Sequence, residues 1–196
     1  MYIPRHFLET DADKLAAVLE EHSFGTLVSV ADGRPFASHV PFLFERAAGS
    51  LHCHVARANP QWRHLASGLD VLAIFAGPHG YISPTWYASA GLPTWDYVAV
   101  HVYGSARPVD DPALTQRHVE RLAARFERDS KAPWVPSYDV GKLGGIVAIE
   151  IRIKEIEGKF KVSQNRSAED RRRVVAALDA TGRQTEQSLA RLIPLD

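Results

Sequence analysis

The sequence holds one cysteine, Cys53, and one methionine, Met1, in 196 residues. A lone cysteine excludes an internal disulfide framework and fits a reducing compartment. No sign of charge dominates: Lys and Arg number 23, Asp and Glu also 23, and the formal net charge is zero. A neutral chain has no long-range basic field, which weighs against non-specific nucleic-acid binding. Long apolar runs are missing too, and none approaches the ~20 residues that a membrane-spanning helix needs. The opening Met1-Tyr2-Ile3-Pro4-Arg5-His6 has no apolar stretch of the secretory kind, so a cytoplasmic location is expected. Ser38, Ser83 and Ser163 lie in no Gly-x-Ser-x-Gly elbow, and Cys53 lacks the local signatures of thiol enzymes. Gly141-Lys142-Leu143-Gly144-Gly145 lacks the glycine spacing of a phosphate loop and reads as a turn before a strand.

What remains is a chain able to build a core. It is 45% hydrophobic and 23% charged, and its length suits a single domain over residues 1–196. A first helix is expected over 11–22, capped by Thr10 or Asp11, with Leu15, Val18 and Leu19 as its apolar stripe. A strand at 25–30 turns at Asp32-Gly33 and returns over 36–44. Pro41 interrupts that return; having no N–H for the ladder, it marks an edge, a bulge or a ligand-facing break. Further strands are expected at 50–55, 71–76 and 97–106, and at 146–156, where Val147, Ile149, Ile151 and Ile153 alternate with Glu150, Arg152 and Lys154. Asn59-Pro60 opens a short helix over 60–67. Asp111-Pro112 opens a longer one to 127, whose expected apolar side is Leu114, His118, Val119, Leu122 and Phe126. Ser167 with Asp170 resembles a capping box for a helix to 180, and a shorter helix follows to 191. The pattern is mainly β with peripheral helices, an α+β chain built on a small antiparallel barrel.

The segment 51–62 carries the most chemistry. On a strand, His52 and His54 share one face and Cys53 takes the other. Arg57 and the N–H groups near Asn59 converge at a helix start, an arrangement that binds phosphate. The plainer alternative is an arginine paired with a carboxylate above an ordinary capped helix. The paired histidines invite a metal reading with His39 or His101 as third ligand. With nine histidines and no helical His pair, hydrogen-bonded imidazoles are the simpler reading, and no metal is expected. Residues 77–87 and 93–97 gather aromatics and prolines in what read as loops, either a packed minicore or a surface for a planar ligand or a second subunit. Residues 159–173 carry six basic against two acidic side chains, a local excess that meets phosphates or forms a solvated face.

Five blocks in order carry a resemblance: Met1-Tyr2-Ile3-Pro4, then 54–62 (His-Val-Ala-Arg-Ala-Asn-Pro-Gln-Trp), 77–87 (Gly-Pro-His-Gly-Tyr-Ile-Ser-Pro-Thr-Trp-Tyr), 93–97 (Pro-Thr-Trp-Asp-Tyr) and 159–166 (Lys-Phe-Lys-Val-Ser-Gln-Asn-Arg). Together they resemble the PaiB family of FMN-binding negative transcriptional regulators. The resemblance runs to about residue 178, with one departure, Asp96, where the family carries Asn. It implies an FMN-binding split barrel, FMN as cofactor, and a homodimer with flavin sites across the subunit interface. It makes Arg57, Asn59 and Trp62 candidate phosphate contacts. Ser38, His39, Pro41 and His54 become candidates along the flavin, and Trp95, Tyr97, Lys159, Lys161, Gln164 and Arg166 close the site. Two function classes follow. One is a flavin-binding repressor acting on DNA or through a protein partner. The other is a flavin-dependent oxidoreductase or flavin reductase using NAD(P)H, in which the flavin does the hydride chemistry.

Overall fold

The computed structural model describes residues 1–66 and 68–195. Its strands are β1 (Leu8–Glu9), β2 (Phe24–Ala31), β3 (Arg34–Pro41), β4 (Leu43–Glu45), β5 (Ser50–Ala56), β6 (Asp70–Ile82), β7 (Thr94–Val109) and β8 (Ile146–Lys161). Its helices are α1 (Ala12–Glu21), α2 (Gln61–His64), α3 (Pro112–Glu127), α4 (Ala168–Ala180) and α5 (Gln184–Ala190). The strands hydrogen-bond in the order β3-β2-β6-β7-β8-β5-β4, with β1 added to β8, and the path does not close on itself. The pairings β1–β8, β2–β3, β2–β6, β4–β5 and β5–β8 are antiparallel. The mainly-β architecture with peripheral helices is therefore the one observed. Packing divides the chain into two compact units: unit I has Met1–Val18, Ala76–His101 and the residues from Glu157 on, and unit II has Leu19–Phe75 and Val102–Ile156.

Unit II is organised by the β2–β3 hairpin. Asp32 and Gly33 both take positive φ, 52° and 73°, the backbone a two-residue hairpin turn requires and the reason glycine sits there. The ladder then pairs Ala31 with Arg34 through to Phe24 with Pro41. At Pro41 the strand ends. Phe42 leaves the ladder of β3, donates its N–H to Ser23 O at 2.8 Å, and buries its ring edge-to-face on Phe75, 5.1 Å between centroids. Pro41 thus lies at a break on an end strand of the sheet, and the break turns a large aromatic into the core. Leu27, Leu51, Cys53, Val102, Ile149 and Ile151 complete that core, each wholly buried. Full burial of a side chain of this size stabilises by ~1.5–3 kcal/mol.

In unit I, β1 pairs with β8 in the register Leu8↔Lys159 and Glu9↔Gly158. Ile82, Val98, Val100, Phe160 and Val162 alternate inward from the strands, while Val174, Leu178, Leu189 and Ile193 bury the apolar side of the C-terminal helices. Asp11 caps α1, its Oδ1 accepting from Asp13 N at 2.9 Å.

Several expected boundaries move. The helix expected over 60–67 is one turn, Gln61–His64, and the expected end at Ser67 lies outside the described residues. Residues 77–82, expected as loop, extend β6. Pro78 is tolerated because the β2 partners of β6 reach only Leu72–Ile74, so no β2 ladder bond is lost at Pro78. Strand β8 runs five residues past Ile156, carrying Lys159 and Lys161 onto regular strand. The buried side of α3 is Thr115, His118 and Leu122, while Leu114 and Phe126 are exposed, a rotation from the expected stripe. Ser167 caps α4 through Asp170 N at 3.1 Å, but the reciprocal half of the capping box is absent. The Asp170 carboxylate instead takes Ala88 N at 2.7 Å and Ser89 Oγ at 2.7 Å, anchoring the 88–89 loop.

Candidate functional site

Three groupings of polar side chains stand out. The first surrounds α2 in unit II. Asn59 accepts from Gln61 N at 2.9 Å through Oδ1 and donates through Nδ2 to Ser38 Oγ at 2.8 Å, joining the helix start to β3. Beneath it Gln61 is 0% exposed and donates to Leu27 O at 3.0 Å and Ser29 Oγ at 3.1 Å; its Oε1 has no partner among the described residues. His39, next along β3, is exposed and bonds Thr26 Oγ1 at 2.9 Å. Trp62 donates its indole N–H to Arg57 O at 2.9 Å and is covered by the Arg63 guanidinium, 4.7 Å from its ring centre.

Arg57 has its fork engaged. Nε donates to Gly144 O at 2.5 Å, and Nη2 reaches Ile146 O and Asp110 Oδ1, each at 3.2 Å. Of the two sequence alternatives for Arg57, a carboxylate contact is therefore present, beside a cavity of about 320 Å³ lined by Asp110, Thr115 and Gly141. A helix of one turn also sums few peptide dipoles, so α2 contributes little field of its own.

The second grouping is imidazole. His52 and His54 share a face of β5 as the alternation requires, with Cys53 buried behind them and its thiol pushed well up by burial. Their third member is neither His39 nor His101 but His118 from α3. Its Nε2 lies 3.1 Å from His54 Nδ1, and its ring centre 6.5 Å from that of His52. Burial lowers all three basicities, and His118 falls furthest, to about 4, with His54, His52 and Arg121 adding to the effect of burial. Among the described residues no group of three or more His, Cys, Asp or Glu could hold a metal ion.

The third grouping belongs to unit I. Trp95, 55% exposed, stands between His79 and Tyr81, with ring centres 6.4 and 6.3 Å away. Lys159 lies over the rings of Tyr97 at 5.2 Å and Tyr2 at 5.7 Å. The aromatics expected on loops thus line up on strands. Beside them Asp96 is 1% exposed and holds Lys161 Nζ at 3.2 Å and Ser163 Oγ at 2.5 Å. Burial pushes its carboxyl up, while Ser163 and Lys161 oppose the rise. Ser163 is buried at φ 60°, a left-handed backbone held by that bond to Asp96. Gln164 folds back on its own strand, accepting from Val162 N at 2.8 Å and donating to Phe160 O. Arg166 stacks on Tyr87, 4.0 Å from guanidinium carbon to ring centre.

Within unit II the structure brings Ser38 to Asn59 and Trp62 to Arg57, and places His54 with His118 instead. Within unit I it brings Tyr97 to Lys159 and Lys161 to Asp96. Sequence reasoning missed Gln61, Tyr87 and His118 as site residues. Gln61 and Tyr87 lie in the quoted blocks, but nothing local marks a buried amide or phenol. His118 was placed on the apolar side of its helix, and only tertiary packing shows its partner.

The fold is that of flavin-binding split barrels. It is similar to the flavocytochrome Anf3 from Azotobacter vinelandii, with TM-score 0.66 and 16% identity over 81% of this chain and 72% of that one. It is also similar to the FAD and heme binding protein from Mycobacterium smegmatis, with TM-score 0.65 and 19% identity over 79% and 73%. The family model described as "Putative FMN-binding domain" matches residues 1–155. The chain is 35% identical to "Protease synthase and sporulation protein PAI 2" of Bacillus subtilis strain 168, covering 98% of this chain and 96% of that protein. The chain belongs to this PaiB family of FMN-binding-domain proteins. Among the described residues no helix is long and apolar enough to cross a membrane.

Proposed function

We propose that the protein binds FMN and works as a homodimeric negative regulator of transcription, through DNA or a protein partner. The observation that carries the flavin reading is the Ser38–Asn59 pair at the start of α2, in a chain whose family is defined by an FMN-binding domain. FMN offers a doubly charged phosphate and a planar ring. The Ser38 hydroxyl and the Asn59 amide form a donor pair suited to phosphate oxygens, while the exposed His39, next along β3, takes the other face of the strand. Arg57 remains within this proposal, its guanidinium adding positive charge beside the same strand end. Within unit I, taken by itself, the Trp95, Tyr97 and Lys159 face has the chemistry of a surface for flat aromatic rings. Bound FMN supplies electron and hydride chemistry, and the side chains supply binding and orientation. The chain passes between the two units four times, which supports treating it as one functional domain.

Lys161 is neutralised by Asp96, so the basic excess of 159–173 reaches solvent only in part. That favours a protein partner, or DNA met by two copies together, over one copy on DNA. The test is FMN titration of the purified chain, followed by absorbance and tryptophan fluorescence, with the mass measured in solution. A yellow species at twice the 21.7 kDa chain mass is expected. A colourless monomer that ignores added FMN refutes the proposal. The exposed Trp95 and Tyr81 rings also favour a second reading, stacking of a nicotinamide donor in a flavin reductase. Anaerobic mixing of the FMN-loaded protein with NADH or NADPH decides it: bleaching supports the reading, and an unchanged spectrum with both donors removes it.

A further inference from the structure

We propose that the pocket of unit I framed by Tyr87, Lys161 and Arg166 is a site of its own for a small carboxylate with a short apolar or aromatic body. The cavity measures about 260 Å³, and its remaining walls are Leu92, Pro93, Thr94, Ser163, Asn165 and the Asp96 carboxylate that Lys161 holds. Charge sets the sign of the ligand. Lys161 is balanced by Asp96, whereas no carboxylate among the described residues is in ion-pair contact with Arg166. Arg166 acts on the same Asp96 carboxylate only beyond ion-pair contact, so Lys161 and Arg166 together exceed it by one positive charge, and the planar fork of a half-buried guanidinium matches the two oxygens of a carboxylate.

Tyr87 supplies the independent observation. It is 5% exposed, and its hydroxyl borders the same cavity; Arg166 is close enough to act on its oxygen but can only donate, so the O–H itself meets no acceptor among the described residues. Such a group is costly to leave unpaired, so a donor here waits for an acceptor. The ring has no freedom to turn elsewhere. Arg166 covers it, and a side chain on Gly91 would come within 2.5 Å of a ring carbon, so only glycine lets the backbone pass so close. A carboxylate satisfies both groups together, accepting two N–H bonds from Arg166 and one O–H bond from Tyr87. One unbalanced cation suits a single negative charge better than the double charge of phosphate. Leu92 and Pro93 leave an apolar lip for the body of the acid.

Calorimetric titration of the full chain with sodium benzoate, at ionic strength fixed with chloride, tests this. Saturable one-to-one binding is expected. Arg166→Gln should weaken it about ten- to hundredfold, and Tyr87→Phe by about fivefold, with melting curves unchanged. Tyr87→Phe alone decides the matter if Arg166→Gln does not fold. Absent binding, or binding that ignores Tyr87→Phe, overturns the proposal. Inorganic phosphate binding more tightly than benzoate overturns the carboxylate assignment, and displacement of benzoate by FMN overturns its standing as a separate site. None of these outcomes depends on whether FMN binds elsewhere.

Discussion

Mild acid should destabilise this protein through three histidines. His118 is 7% exposed, shares one hydrogen bond with His54, and is depressed from the ordinary imidazole value to about 4. The charged groups near the cluster pull both ways: Glu150 and Glu45 favour protonation of His52, and Arg121 and Arg107 oppose it. Because the folded-state value is depressed, the stability tied to neutral His118 is fully present above about pH 6.5. It is lost as pH falls towards 4, since only the unfolded chain takes up the proton in that window. A shift of about 2.5 units amounts to about 3 kcal/mol in full, of which about 2 kcal/mol disappears between pH 7 and 5. His52 and His54 shift in the same direction and add to the loss. Urea midpoints at pH 7, 6 and 5 measure it, for wild type and for His118→Gln, which keeps a polar side chain but cannot ionise. The wild type should lose at least about 2 kcal/mol over that range, and the variant about 2 kcal/mol less than the wild type. Parallel losses in the two proteins would refute the reasoning and move the acid sensitivity elsewhere.

Other substitutions probe the remaining groupings. Gln61→Leu leaves Ser29 without its buried donor and should cost about 1–3 kcal/mol in urea unfolding; an unchanged midpoint means the amide is not what holds α2. Lys161→Met strands the Asp96 carboxylate in the interior and should destabilise by about 3–5 kcal/mol, read as a lowered melting temperature that partly recovers at acid pH. Arg57→Ala should weaken FMN binding about ten- to hundredfold in fluorescence titration, and unaltered affinity places the phosphate away from that strand end.

Period-two alternation located β8, because one face of it is buried over much of its length and the pleat repeats every two residues. The hairpin turn was legible for the same local reason, a glycine where the backbone needs positive φ. The reading failed where tertiary packing decides. Residues 77–82 look like loop because they carry glycine and proline, yet they are strand. On α3 the sequence places His118 and Leu122 on the buried side, as observed, but Leu114 and Phe126 are apolar yet exposed, and buried Thr115 gives no hydrophobic signal. At the candidate site, the resemblance points to segments, while the partner of each side chain follows only from tertiary packing. Asp170 looked like half of a cap and instead anchors a loop 81 residues away in sequence.

The burial of Cys53 has a practical result. Its sulfur is sealed at 0% exposure and held as the unreactive thiol, so the folded protein presents no cysteine to maleimides. A cysteine introduced at exposed Leu92 therefore becomes a unique handle for a spin label or dye. The spacing between two such probes would report directly on whether copies of the chain come together, with no background to subtract.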